Sequence, residues 1–226
     1  MFIYEKNNSL NITFKDNKPV VTPDVVMDVS DNNTLTINDA EVTPMIAEEI
    51  TQDTIYDTAQ VIDSAVVVAL NGNKISIPED TDGSGVYHVV EGGYLTINGD
   101  GVIDGVGKND YNMAIWADGG HVVINGGTFT NVGATSSNGD NSHFDLIYAK
   151  NDGVVEINGG FFHCQTPQWT LNNNDTKPGT FIVRGGTFVG FNPMCTKTEP
   201  AGKPNNFVAE GYTAVYENGN YTVRKI

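Results

Sequence analysis

The chain is poor in cysteine, poor in cations and without a long apolar run, and each shortage excludes something. Its 226 residues hold two cysteines, Cys164 and Cys195, neither near a second thiol nor in a His-rich pattern. That excludes a disulfide framework and a Cys-based metal site, and Cys164 reads as a small buried thiol. Twelve Lys and Arg face 28 Asp and Glu, for a net charge of −16 and a pI near 4.3. Gripping nucleic acid through its phosphates needs a basic face, so that class is excluded. The acids are dispersed and read as a soluble, self-repelling surface, which also protects a strand-rich protein from edge-to-edge association. No run approaches the ~20 apolar residues of a membrane span, so membrane insertion is not expected. The opening MFIYEKN lacks the apolar core of a signal peptide. The expectation is a protein made in a cytoplasm.

What the chain does have is a repeat. YLTINGDGVI (94–103), HVVINGGTFT (121–130), VVEINGGFFH (154–163) and TFIVRGGTFV (180–189) share one pattern. With Gly99, Gly126, Gly159 and Gly185 taken as equivalent, the spacings are 27, 33 and 26 residues. A period of this size means that one supersecondary unit is stacked on itself. Leu95, Val122, Val155 and Phe181 form one apolar column, and Ile97, Ile124, Ile157 and Val183 the next. Between them Thr96, Val123, Glu156 and Ile182 form the column that admits a charge, the period of two of a strand with one buried face. After the glycines, Val102, Phe129, Phe162 and Phe188 align as a further apolar column. A third short run precedes each unit: VYHVV (86–90), MAIWA (113–117), DLIYA (145–149) and QWTL (168–171).

Asn98, Asn125 and Asn158 precede the glycines, and Arg184 stands in the fourth place. Asn-Gly suits a sharp corner, and asparagines stacked one coil above another can bond each other in a ladder. An Asn-Gly pair alone suits an antiparallel hairpin equally well; the long period and matched columns favour stacking. The fold expected is all-β: a right-handed parallel β-helix with about three short strands per coil and four clear repeats, preceded by a small β segment and a short helix.

Four regions follow. Residues 1–42 carry short β runs outside the repeat, LNITF (10–14), VVMDV (25–29) and TLTIN (34–38), with KDNKP and SDNN turns; a segment this small needs a partner to bury a core. Residues 43–63 lack glycine, begin with Thr43-Pro44 as N-cap and N1, and place Ile46 and Ile50 on one helical face. They read as a helical neck or a capping helix. Residues 64–192 form the β-helix, introduced by AVVVAL (65–70) and KISI (74–77). Residues 193–226 are a Pro/Lys-bearing loop and a hairpin about ENGN, a cap of the kind that a solenoid end requires.

INGGTF, VRGGTF and the closing FVAEGYTAVYENGNYTV resemble the β-helical ends of virion and surface proteins of gut bacteria and their phages. The opening IYEKNNSLNITFKDN and TPDVVMDV resemble the virion-attachment segment of bacteriophage head fibre proteins, the capsid-decorating proteins of gut (crAss-like) phages. The likeness covers the first forty-odd residues and roughly the last hundred. It implies a structural virion protein on the particle surface, attached to capsid proteins through residues 1–42, homotrimeric or homodimeric, with the helix pointing outward. It supplies no catalytic residue.

Parallel β-helices also serve as polysaccharide-binding or polysaccharide-cleaving enzymes, the alternative reading. Asp100 and Asp104 stand in the first repeat, and His121, His143 and Asp145 in the next two. A glycosidase needs two carboxylates flanking one bond, whereas Asp100, aligned with Gly127, Gly160 and Gly186, reads as a turn residue. A lyase needs a cation near its anionic intermediate, and Lys108, Lys150, Lys177 and Arg184 do not cluster by repeat position. His143-Phe144-Asp145 is no dyad, because adjacent strand residues point oppositely. GDGVIDGVGKND (99–110) fits neither the EF-hand nor the nonapeptide calcium pattern. No catalytic residue, metal or cofactor is therefore expected. The notable surface is aromatic. Trp116 and Tyr148 occupy matching positions, with Tyr87 or Trp169 extending the row. Facing outward, these rings would meet host or mucosal glycans or another subunit; facing inward, they would fill the core, with Ile115 and Ile147 outside.

Overall fold

Alternating apolar positions at a steady period direct this chain into short strands whose inward side chains stack. The computed structural model describes residues 3–5, 9–11, 27–29, 35–37, 45–78, 85–105, 113–132, 145–174, 176–197 and 204–226. Two compact units divide at Ile46. In the first, Ile3–Glu5 pairs antiparallel with Ser9–Asn11, and Met27–Val29 with Leu35–Ile37. These strands fall within or beside the β runs read from the sequence; the rest of those runs, the KDNKP and SDNN turns and Thr43-Pro44 lie outside the described residues.

The second unit is a β-helix-like stack. Its chain visits three sheets in a fixed cycle. The first sheet orders Gln60–Ile62, Tyr87–Val90, Ile115–Asp118, Ile147–Lys150 and Leu171–Asn173. The second orders Ile46–Glu49, Ala65–Ala69, Tyr94–Asn98, His121–Ile124, Val154–Ile157 and Thr180–Val183. The third orders Thr54–Ile55, Lys74–Ser76, Val102–Asp104, Thr128–Asn131, Phe161–Cys164 and Thr187–Val189. From Thr54 to Val189 the neighbours in each sheet run parallel.

Inward side chains line up rung on rung. Val66, Leu95, Val122, Val155 and Phe181 form one buried column, and Val68, Ile97, Ile124, Ile157 and Val183 another. In the third sheet the column is Ile75, Ile103, Phe129, Phe162 and Phe188. Its Phe rings stack at 5.1 and 4.7 Å, with interplanar angles of 9° and 11°. Ile103, not Val102, is thus the partner of Phe129. Asn98-Gly99-Asp100-Gly101 is one residue longer than Asn125-Gly126-Gly127, so Asp100 is an extra turn residue and not the equivalent of Gly127; Asp104 pairs with Thr130.

The two glycines at this corner answer two demands. A Cβ on Gly126, Gly159 or Gly185 would lie 2.6, 2.6 or 2.1 Å from a carbonyl oxygen of the turn below, so the first glycine is there for space. Gly127, Gly160 and Gly186 take φ of 93°, 107° and 97°, so the second is there for conformation. The asparagines before them are not in the left-handed region. They build a ladder instead: Asn125 Nδ2 donates to Asn98 Oδ1 (2.9 Å), and Asn158 Nδ2 to Asn125 Oδ1 (3.0 Å).

Two expectations are corrected. Over its described part, the segment 43–63 is strand and not helix: Ile46–Glu49, Thr54–Ile55 and Gln60–Ile62 make the lowest rung. Ile50 N, Tyr56 N and Gln60 N donate to Ala69, Ser76 and Val86 carbonyls of the rung above. β-branched Ile50, Thr54, Ile55, Val61 and Ile62 favour a pleated surface once a ladder is available to join. QWTL is not one strand either: Pro167–Trp169 is a 3-10 turn, and the strand is Leu171–Asn173.

At the far end Tyr212–Glu217 and Asn220–Lys225 form a hairpin about Asn218-Gly219, with φ of 52° and 86°. Its second strand pairs antiparallel with Thr187–Val189 and continues the third sheet. Val223 is buried against the stack, and Phe207 packs on Phe181 at 4.8 Å.

Candidate functional site

Parallel register turns alternate side chains of the first sheet outward, one per rung. The column is Val61, His88, Trp116 and Tyr148, and Asn172, next in register, is covered over and buried. Ile115, Ile147, Ala117 and Ala149 are buried beside it, so Trp116 and Tyr148 face out and the inward alternative falls away. Tyr87 has the opposite parity and is fully buried, and its place in the row belongs to His88. Trp169 sits in the 3-10 turn, and its expected place is held by Asn172.

The His88 and Trp116 rings stack flat, 4.3 Å apart at 10°; Tyr148 is tilted 53° to Trp116 at 6.3 Å. The facing π-surfaces of His88 and Trp116 are therefore spent on each other, and Tyr148 is set at a different angle. A second outward column beside the rings carries ions. Lys150 Nζ stands 4.6 Å from the Trp116 centroid, within cation–π range. Asp118 lies 3.7 Å from Lys150 and 3.2 Å from His88 Nε2, and accepts from Asn151 Nδ2 at 2.5 Å. Asn174 Nδ2 donates to the Tyr148 hydroxyl at 2.6 Å, fixing the ring. His88 and Asp118 were missed in the sequence, although Asp118 stands two residues on from Trp116 and His88 is the register partner of Trp116; Lys150, read there as an unclustered cation, is the register partner of Asp118.

The second sheet turns out a different cluster. Tyr94 and His121 rings lie 4.7 Å apart, His121 Nε2 meets Glu156 Oε1 at 2.9 Å, and Arg184 Nη1 donates to Glu156 Oε2 at 2.5 Å. The Arg184 hydrogen bond holds the Glu156 carboxyl below its usual range against partial burial, with help from His121. Burial pushes the Tyr94 hydroxyl up.

The acids do not assemble into a pair. Asp100 is exposed in its turn, while Asp104 binds Lys74 Nζ at 2.6 Å on the third sheet. Asp145 Oδ1 accepts from Asn172 Nδ2 at 3.0 Å, and its carbonyl accepts from Asn131 Nδ2 at 2.8 Å. His143, Phe144, Lys108 and residues 106–110 of the glycine/aspartate loop lie outside the described residues. Among the described residues no group of three or more His, Cys, Asp or Glu could hold a metal ion. No helix among them is long and apolar enough to cross a membrane. Cys164 is buried, and burial pushes its thiol up to about 12, which leaves it unreactive at neutral pH.

Comparison of the chain with models of known protein families, with curated proteins and with solved structures gives no match in any of the three.

Proposed function

We propose that the chain is a structural virion protein, a capsid-decorating head fibre held to the shell by residues 1–42, with the stack as a right-handed parallel β-helix displayed outward. The observation that carries this reading is the division of the chain into a small hairpin-bearing unit, residues 1–46, and a much larger stacked unit, residues 47–226. A unit with so little to bury needs a partner surface, whereas a stack closes on its own columns. The resemblance of both ends of the chain to head fibre proteins supplies the partner, a capsid protein. Right-handedness follows from the crossover rule for parallel strands in one sheet, obeyed in about 98% of cases. Fibres of this kind are symmetric homo-oligomers.

Adhesion to host or mucosal glycans is the second part of the reading. It is supported by the outward row of His88, Trp116 and Tyr148 and by Tyr94, 41% exposed next to His121. Ring edges, tilted faces and amides are the groups that such a ligand would contact. Particles assembled with a chain lacking residues 1–42 test the attachment: the protein should vanish from purified particles, and undiminished incorporation would refute it.

A further inference from the structure

The third sheet ends differently at its two limits. Its lower edge is the two-residue strand Thr54–Ile55, while its upper edge is the six-residue strand Tyr212–Glu217. Short edges are protected by their length; a long one invites another strand unless it carries Lys, Pro or a bulge. Tyr-Thr-Ala-Val-Tyr-Glu has neither Lys nor Pro, and its residues are β formers for the most part.

The direction of each backbone group follows from the ladder. Val223 N donates to Gly186 O, so the odd-numbered residues of Asn220–Lys225 face the stack and the even-numbered ones face the hairpin partner. Thr213, Val215 and Glu217 accordingly pair with Arg224, Thr222 and Asn220, and Tyr212, Ala214 and Tyr216 turn their amides to the open side. Tyr212 N is taken by Ala209 O. Ala214 N reaches only the Met194 sulfur at 3.2 Å, a weak acceptor. Among the described residues Tyr216 N meets no acceptor, and its ring is 60% exposed.

We infer that this edge pairs antiparallel with the same edge of a second copy, about a two-fold axis through Val215. In that register Ala214 of one chain exchanges both hydrogen bonds with Tyr216 of the other, and the Tyr216 carbonyl replaces the Met194 sulfur as acceptor. Each exposed Tyr216 ring then lies over a small residue, Ala214. Val215 faces its own copy as a non-hydrogen-bonded pair on the outer face. Glu217 comes opposite Thr213, whose hairpin neighbour is Arg224, so each carboxylate meets a guanidinium of the other chain. This charge complementarity selects a second copy over an unrelated strand. A symmetric contact made in this way closes on itself and joins two C-terminal ends.

Cross-linking of the full chain decides it. In a Cys195→Ser background, Val215→Cys should form an interchain disulfide under mild oxidation. The paired Cα atoms would be about 4.5 Å apart, inside the range that a disulfide accepts. Thr213→Cys should not cross-link, because its counterpart is residue 217. In sedimentation velocity Glu217→Lys should weaken self-association by about tenfold or more, and Glu217→Lys with Arg224→Glu should restore it. The same melting curve for each variant keeps folding out of the result. Cross-linking at 213 as fast as at 215, no cross-link at 215, or no rescue by the charge swap would overturn the inference. So would a strand of some other protein taking this edge while the chain alone stays monomeric.

Discussion

Two aromatic rows run along the same stack, one facing in and one facing out. Phe129, Phe162 and Phe188 lie inside the third sheet, each fully buried and nearly parallel to the next. His88, Trp116 and Tyr148 lie outside the first, at similar spacing, but with Asp118, Lys150, Asn151 and Asn174 drawn in around them. The inner row contributes area, about 2–3 kcal/mol for each ring removed from water, and its uniform stacking sets the register. The outer row is half-buried and adds chemistry to its area, because every ring there has a polar neighbour one rung away. A rung-by-rung register is thus enforced from within, and whatever the protein touches meets side chains that are free to vary from without.

The largest expected break in that contrast is Phe162→Ala. It leaves a void between two flat rings and should cost about 3–5 kcal/mol, read as a lowered midpoint in denaturant unfolding. Next comes Gly153→Ala, at the corner between first and second sheets. A Cβ there would lie 2.5 Å from the Ala117 carbonyl oxygen, so the rungs must part, at about 1–3 kcal/mol by the same measurement. Trp116→Ala with Tyr148→Ala removes half-buried rings from a face that can relax toward solvent, so it should cost less than Phe162→Ala and leave the register intact; on a glycan array it should abolish the proposed binding, and unchanged binding would remove this row from the proposed adhesive surface.

The smallest effect sharpens the contrast through pH. Glu156 has its folded pKa lowered, first by the Arg184 hydrogen bond. A depressed carboxyl contributes stability that is present above the unfolded value near 4.5 and is lost as the pH falls through the folded value. The site is partly exposed to solvent, so the contribution is modest. Glu156→Gln should therefore lower the melting temperature slightly at neutral pH and converge with the parent chain in acid, which flattens its acid limb below about pH 4.5. An identical acid limb in the variant would show that the network does not couple to folding.

The inner columns were legible because alternation and glycine spacing agree there: Ile97, Ile124, Ile157 and Val183 need no structure to align. Three things were not. Asp100 lengthens one turn by a residue, and a one-residue slip exchanges inside for outside, which is why Val102 was put in the place of Ile103. Ile46 and Ile50 are spaced as helix neighbours, but a waiting ladder overrode that local spacing and made their segment a rung. MAIWA and DLIYA are apolar on both faces, so periodicity could not tell Trp116 from Ile115. The small Ala117 and Ala149, which pack under the neighbouring rungs, carry that information only once the register is known. His88 and Tyr87 exchanged roles for the same reason.

The proposal as a whole stands on residues 1–42 as an attachment device, and sedimentation with purified capsids of a phage that encodes the chain measures that directly. The full chain should pellet with capsids and saturate, while a chain beginning at residue 43, with an unchanged melting curve, should stay in the supernatant. Equal pelleting of the two, or of neither, would contradict attachment through the N-terminal unit.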